Sequence, residues 1–420
     1  MLRKTILPLI ALLTLIYGSQ TLTAQNTTSP YSKYGYGLLR DNANIAQRQM
    51  GYTGYAMTSG REVNMMNPAS YAAVDTLTFL FDMGLDLSFI SSSDADAKHD
   101  EQGGGLDYIS MLFPVAKNMG VSIGLVPYSS VGYAFGTDID NGLYTRQGNG
   151  GINQLYAGYA IRPFKGFSIG ANISYLFGNT QNVIYAYTTT GSTSAFAQTI
   201  DIRDWNIQAG IQYTLRINPD HALTAALTYS PGKTLLGHAT VTKQDVTSGL
   251  NELPDTLSHI SLRRNFSIPD KWGAGLNYRY KDRLQVEADF TYMPWSNAKF
   301  AAMDGFEATR FADRYQGSIG ASYTHAVRGN YFSRITYRIG ALYNRDYMTV
   351  SSGNDLNHVR EYALTCGLGL PTMGSKTMIN LGFEYRHRQA TPNPLLKETY
   401  CNITLGINFN ELWFFKNKIR

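Results

Sequence analysis

From about residue 76 onward, apolar and polar residues alternate with a period of two. Phe167, Ile169, Ala171, Ile173, Tyr175 and Phe177 share one face, and Ser168, Gly170, Asn172 and Ser174 share the other. Leu284, Val286, Ala288, Phe290 and Tyr292 alternate with Gln285, Glu287, Asp289 and Thr291. Ile335, Tyr337, Ile339, Ala341 and Tyr343 alternate with Thr336, Arg338 and Gly340. Ile379, Leu381, Phe383 and Tyr385 alternate with Asn380, Gly382, Glu384 and Arg386. Successive side chains of a strand point to opposite faces, so each segment predicts a strand with one apolar and one polar face.

A soluble sandwich would alternate in the same way. Three features favour a membrane barrel. The segments run to about ten residues, the length of a tilted membrane strand. Tyr and Phe gather near their ends, as interfacial girdles do. The connections alternate between short and long. Short turns are expected at Lys117-Asn118, Pro163–Lys165, Asn218–His221, Lys281-Asp282, Val327–Asn330 and Thr372–Lys376. Longer polar stretches lie near 91–104, 137–150, 178–200, 232–262, 294–311, 347–358 and 389–396. Together they join about fourteen strands with both barrel ends on the short-turn side, the periplasmic side of such proteins. The predicted fold is therefore all-β, a transmembrane antiparallel barrel over 76–412. It must close, because lipid leaves an open sheet edge unpaired.

The two ends break the rhythm. Met1–Lys4 is basic, Ile6–Ile16 is apolar and Leu22-Thr23-Ala24 can be read as a cleavage signal. Residues 1–24 therefore read as a secretory signal peptide, and the apolar run is shorter than the ~20 residues of a spanning helix. Export to the outer membrane follows. Residues 25–75 are Gly-rich, with a short helix expected around Asn42–Gln49 and a turn at Asn67-Pro68. A barrel of about fourteen strands is too wide for its own side chains to fill. This segment is either a hatch inside the lumen or a flexible periplasmic tail. Residues 413–420 form a short basic tail.

Charged residues make up 16% of the chain, below the roughly 25% usual for soluble proteins, which suits a wall facing lipid. The formal net charge of +5, two units of it from Arg3 and Lys4, is too small to suggest nucleic-acid binding. Cys366 and Cys401 fall on strands with another between them, too far apart for a disulfide. The histidines are scattered, and His-Glu-x-x-His, Cys-x-x-Cys and Gly-x-Ser-x-Gly patterns are absent, so no catalytic residue, metal or cofactor is expected. Gly148–Gly151 reads as a loop tip. Asp138–Gly142 hints at a calcium loop but lacks its Gly and terminal acid. Asp94, Asp96, Asp100 and Glu101 read as a solvated acidic loop. Glu287, Asp289, Arg338, Glu384 and Arg386 face the lumen, where unpaired charge is costly; they are expected to pair with one another or with the hatch.

Gly51–Ala56, then Asn67-Pro68-Ala69, then the first strand resembles the FadL-type outer-membrane channels for long-chain fatty acids and other hydrophobic compounds. Ile268–Gly275 followed by Ala288–Ser296 resembles a recurrent strand pair of that family. The likeness spans nearly the whole mature chain in layout, although the family's ligand-contacting residues are not identifiable and Trp413–Lys416 runs past the usual terminal aromatic. The resemblance implies a fourteen-stranded barrel with an N-terminal hatch ending at Asn67, Pro68 and Ala69. It also implies passive passage of a hydrophobic ligand sideways through a kinked third strand. Here that strand includes Gly124, Pro127, Tyr128 and Ser129. Pro127 cannot donate a ladder hydrogen bond, so it marks either a wall opening or a simple bulge. The partners implied are outer-membrane lipid and a hydrophobic ligand. The alternative is a non-transporting structural subunit of an outer-membrane assembly, docking other outer-membrane proteins through its long loops.

Overall fold

The computed structural model describes residues 29–94, 98–139, 142–188, 193–245, 255–303, 306, 309–326, 329–352, 355–372 and 376–412. Residues 1–24, expected to be a signal peptide, together with Asp96, Asp140, Asn141 and the expected tail 413–420, lie outside them. Among the described residues fourteen strands form one closed antiparallel barrel. They are β1 Thr78–Ser93, β2 Lys98–Ala116, β3 Met119–Ile139, β4 Gly142–Phe164, β5 Phe167–Thr188, β6 Thr193–Arg216 and β7 His221–Ser230. The second half comprises β8 Lys271–Tyr280, β9 Leu284–Met293, β10 Arg314–Thr324, β11 Thr336–Ser352, β12 Asp355–Pro371, β13 Met378–Thr391 and β14 Lys397–Leu412. β14 pairs with β1 from Lys397↔Ser93 to Leu412↔Thr78, which closes the wall. No described helix is long and apolar enough to cross a membrane.

The short turns at 117–118, 163–165, 218–221 and 281–282 sit at one end, where Asn118, Lys281 and Asp282 take left-handed backbone conformations, while 327–328 and 373–375 of the other two expected turns lie outside the described residues. Several stretches expected to be loops at the other end are strand instead. β6 has 24 residues, against the roughly ten that cross a membrane. Residues 91–93, 98–104, 142–150 and 178–188 continue the ladder, and Gly237–Asp245 with Asp255–Ser261 adds a hairpin on β6. Their polar outward residues face away from the apolar band, so polarity alone made them look like loops. The Gly148–Gly151 run lies within β4. A side chain on Gly148 would collide with the Tyr133 ring, and Gly150 has φ +105°. Asp138 and Ile139 pair with Leu143 and Gly142, so they belong to a hairpin rather than a wound calcium loop. Asp100 and Glu101 stand on β2 beside Lys98 and His99 (3.8 and 3.2 Å).

Outward residues such as Ile173, Ile207, Leu276, Ile319, Ile339 and Leu364 are half or more exposed and form the apolar band. Residues 29–75 are mostly buried among inward-facing side chains of the wall. Their one α-helix, Ile45–Arg48, is closed by a reciprocal cap. Asn44 Oδ1 accepts from Gln47 N (2.8 Å) and Gln47 Oε1 accepts from Asn44 N (2.9 Å). Cys366 and Cys401 are free thiols on β12 and β14, with β13 between them.

Candidate functional site

The barrel interior has a charged level and an apolar level. At the charged level, wall side chains hold the backbone of the N-terminal segment. Asp289 Oδ2 on β9 accepts from Gly54 N (2.7 Å) and Tyr55 N (2.9 Å), and Glu287 Oε1 accepts from Ala56 N (2.8 Å). These two carboxylates thus satisfy three consecutive buried amides. Arg338 on β11 donates to Gln49 Oε1 (3.0 Å) and pairs with Glu62 (3.2 Å). Glu384 on β13 accepts from the Tyr52 hydroxyl (2.8 Å), and the Arg386 guanidinium lies 5.2 Å from the Tyr52 ring centre. All five lumen charges named from sequence therefore touch residues 29–75.

Sequence reasoning missed others. Arg48 pairs with Asp107 of β2 (2.5 Å), and Arg314 of β10 with Asp41 (3.3 Å). Arg388 pairs with Glu361 (2.5 Å) and Glu398 (3.4 Å), and Glu398 accepts from the Ser29 hydroxyl (2.7 Å). Arg314, Glu361, Arg388 and Glu398 sit on the inward parity of their strands, which was the available signal, whereas Asp107 is turned inward by a bulge between Leu106 and Tyr108. Breaking the Arg48 or the Arg314 pair from one side strands a buried charge, so these two contacts anchor the segment strongly, whereas Arg388 ties β13 to β12 and β14.

Glycines on the inward face let the segment approach the wall. A side-chain carbon on Gly406 would lie 2.7 Å from Ile45 Cβ, and one on Gly170 would lie 2.6 Å from the Pro68 carbonyl. Asn67 caps the 3-10 helix Pro68–Ala73 through Ala69 N (3.0 Å). It donates to Tyr55 O (2.8 Å) and Ile211 O (3.3 Å). Asn67, Pro68 and Ala69 are buried against β5 and β6.

β3 pairs with β2 from Ala116↔Met119 only as far as Ile109↔Leu125. Beyond that, β2 continues to pair with β1, and β3 continues to pair with β4. The ladder to β4 slips by one residue between Pro127 and Ser129. Buried positions accordingly change from Ser122 and Val126 to Ser129, Val131 and Tyr133. The freed edge of β3 takes the two-residue strand Leu38-Leu39, with Leu38↔Ser130 and Leu39↔Ser129 in register. Arg40 N donates to Tyr128 O (3.0 Å) and Ser29 N to Gly132 O (2.7 Å). Gly124 leaves room for the Tyr156 ring, 2.7 Å from where its Cβ would stand.

Beside this edge lies the apolar level. Tyr36, Leu38, Ile152, Leu176, Ile200, Trp295, Tyr347 and Val359 are all buried there, and Tyr128 packs against them. Trp295 meets Tyr347 at 4.4 Å and Phe311 at 5.4 Å between ring centres, and Tyr36 meets Phe300 at 5.3 Å. The Tyr347 hydroxyl donates to Gly37 O (2.6 Å).

A closed fourteen-stranded barrel with its N-terminal segment packed in the lumen and a break beside the third strand defines a class, the FadL-type fold. Solved structures share it. A Pseudomonas aeruginosa FadL homologue aligns with TM-score 0.61 at 12% identity over 90% of this chain and 100% of that one. The Pseudomonas putida toluene transporter TodX gives 0.61 at 15% over 90% and 100%. The Ralstonia pickettii toluene transporter TbuX gives 0.57 at 15% over 88% and 98%. No curated protein matches the chain at the sequence level. The chain belongs to the BamG family, whose model matches residues 1–420.

Proposed function

We propose that this chain, exported by a cleaved signal at 1–24, is an outer-membrane conduit for passive uptake of small hydrophobic compounds. Residues 25–75 act as the hatch, anchored by Glu287, Asp289, Arg338, Glu384 and Arg386 and turned at Asn67, Pro68 and Ala69. The exit is lateral, at Gly124, Pro127, Tyr128 and Ser129 of β3. The observation that carries the reading is the loss of β2 pairing above Leu125, beside an apolar interior and covered by the short strand Leu38-Leu39 with flanking bonds from Ser29 and Arg40. The toluene transporters that share the fold lend support. Apolar solutes partition readily into hydrocarbon, so a sideways exit needs no energy source. Directly opposed residues lie within disulfide reach. Leu38→Cys with Ser130→Cys, in a background lacking Cys366 and Cys401, tests the gate. Toluene uptake by cells carrying it is expected to fall when oxidised and return on reduction. Equal uptake in both states would overturn the reading.

One observation favours a second reading. The rings of Tyr36, Trp295, Phe300, Phe311 and Tyr347 occupy the interior that a conduit would keep open. A barrel filled in this way suits an accessory subunit of an outer-membrane assembly, and the BamG family name agrees. That reading expects stoichiometric co-purification of other outer-membrane proteins in mild detergent, with uptake indifferent to the disulfide lock between positions 38 and 130.

A further inference from the structure

The outer wall carries a second feature that neither reading uses. One rung of the sheet reads Tyr315↔Arg345↔Arg360↔Gln389↔Lys397 across β10 to β14. Asn344, Asp346 and Glu361 beside it are buried inward, so Arg345 and Arg360 stand on the outward face. They are directly opposed. Like charges so placed on a sheet repel, their Cβ atoms about 5 Å apart. Among the described residues neither has an ion pair with a carboxylate, and neither Nε atom has a hydrogen-bond partner. Arg345 Nη2 instead lies 3.0 Å from His358 Nε2, another basic group. Asp313, within electrostatic reach of Arg345, already accepts from Tyr292 Oη (3.1 Å) and Ser296 N (3.0 Å). Two guanidinium groups facing each other with a third cation, Lys397, on the same rung concentrate positive charge on the outward face.

Directly below this rung, toward the short turns, the wall is hollowed. A groove of about 590 Å³ runs over Gly317, Ile319, Ala341 and Leu364, rimmed by Tyr343 and Tyr362. That size falls within the roughly 300–1,000 Å³ of small-ligand sites. Gly317 sits between the outward rings of Phe290 and Tyr343, and a Cβ there would meet nothing within 4 Å. The Tyr343 and Tyr362 rings stand 5.2 Å apart, and Tyr292 and Tyr315 stand 5.0 Å apart. Outward tyrosines mark the level where hydrocarbon gives way to headgroups. The cations therefore lie at headgroup height on the long-hairpin side, and the groove lies at acyl-chain height beneath them.

We propose that this face binds one acylated lipid with an anionic phosphate headgroup. The phosphate bridges Arg345 and Arg360, with Lys397 adding to the field, and an acyl chain fills the groove at Gly317 and Ala341. Guanidinium forks match phosphate oxygens, and an anion between them removes the repulsion. Charge complementarity on a surface that already faces lipid identifies the occupant. The chemistry is shared by phosphorylated glycolipids of the outer leaflet and by anionic glycerophospholipids.

The full-length protein, in nanodiscs of phosphatidylcholine alone or doped with either lipid A or phosphatidylglycerol, tests this by native mass spectrometry of retained lipid. The expected result is retention of an anionic lipid over phosphatidylcholine by about thirtyfold, the effect of two cations near a lipid surface. The better retained of the two doped lipids identifies the source. Arg345→Gln with Arg360→Gln is expected to abolish the preference. Gly317→Phe, which fills the groove from a position with open space outside it, is expected to lower retention with both arginines intact. Unchanged heat-modifiable gel mobility establishes that each variant is folded. Equal retention of phosphatidylcholine, retention indifferent to both variants, or a co-purifying protein covering this face without bound lipid would each overturn the proposal.

Discussion

The two levels of the lumen are built from the same strands but hold their contents by opposite means. At the charged level, wall carboxylates and guanidinium groups grip backbone amides and polar side chains of residues 41–62. At the apolar level, aromatic rings from the N-terminal segment and the 294–311 connection pack on inward Ile, Leu and Val. Strand β6 shows both regimes. Trp205, Ile207, Ile211 and Tyr213 point outward and are about half exposed, while Asp204, Gly210 and Gln212 are buried inside. A few residues earlier the pattern inverts, with Ile200 and Ile202 buried inside and Asp201 and Arg203 outside. The inversion marks where the surrounding medium changes. Below it the wall meets hydrocarbon, and above it the wall meets water and needs an apolar interior like that of a soluble barrel.

The comparison can be broken most severely by single truncations at each level, which should differ in how they combine. Arg48→Met leaves Asp107 buried and unpaired, and its cost is expected to be about 3–5 kcal/mol. Adding Asp107→Leu is expected to recover most of that, because the pair is then absent rather than broken. Trp295→Ala is also expected to cost about 3–5 kcal/mol through the cavity it leaves. Adding Phe311→Ala should deepen that loss. Unfolding midpoints in urea, followed by gel mobility, read all four variants. Recovery at the apolar pair, or further loss at the charged pair, would erase the distinction between the two levels.

A smaller effect sharpens the position of the boundary. A lysine on the lipid face of such barrels costs up to about 2–4 kcal/mol at mid-depth and falls toward zero near the interface. Ile207→Lys is therefore expected to destabilise folding in lipid by an amount in that range. Thr199→Lys, on the same strand above the inversion, is expected to stay within about 0.5 kcal/mol. Equal costs at both positions, measured in vesicles, would place the whole of β6 in one medium.

The period-two pattern made the barrel, its strand count and its short turns legible, because below the inversion most strands are apolar outside and largely polar inside, with Leu80, Leu112 and Val126 among the inward exceptions. Stretches such as 178–188 and 193–200 look like loops in the sequence for the reason β6 displays. Once the outside is water, outward polar residues look like loop residues to a reading tuned for lipid. Inward charges were legible one strand at a time, as with Asp289 beside Phe290 or Glu384 beside Phe383. Their partners were not: Arg48 meets Asp107 only once the barrel encloses the segment, and Arg388 meets Glu361 only through the register of β13 with β12. The inward glycines were visible as polar-face positions, but that Gly170 and Gly406 admit Pro68 and Ile45 depends on the fold. Arg345 opposite Arg360 depends on the register of β11 with β12, which no local pattern fixes.

The smallest expected effect lies between the two levels, at Asp41. Burial pushes its carboxyl toward the neutral form, but the Arg314 guanidinium at 3.3 Å and nearby Lys271 outweigh that and hold it below the ordinary carboxylate value of 3.8. A carboxyl whose folded value lies below its unfolded one binds fewer protons when folded, so stability rises with pH through that window. Its contribution is complete above 3.8 and disappears as pH falls through the lower folded value. Asp41→Asn keeps the shape and removes the charge. Its stability deficit relative to the unaltered protein is therefore expected to be full at neutral pH and to close as acidification carries the pH below 3.8 and through the lowered folded value. Urea midpoints across that range measure it. A deficit that is flat with pH would mean that Arg314 does not hold Asp41 ionised, leaving the boundary between the two levels to be fixed by packing alone.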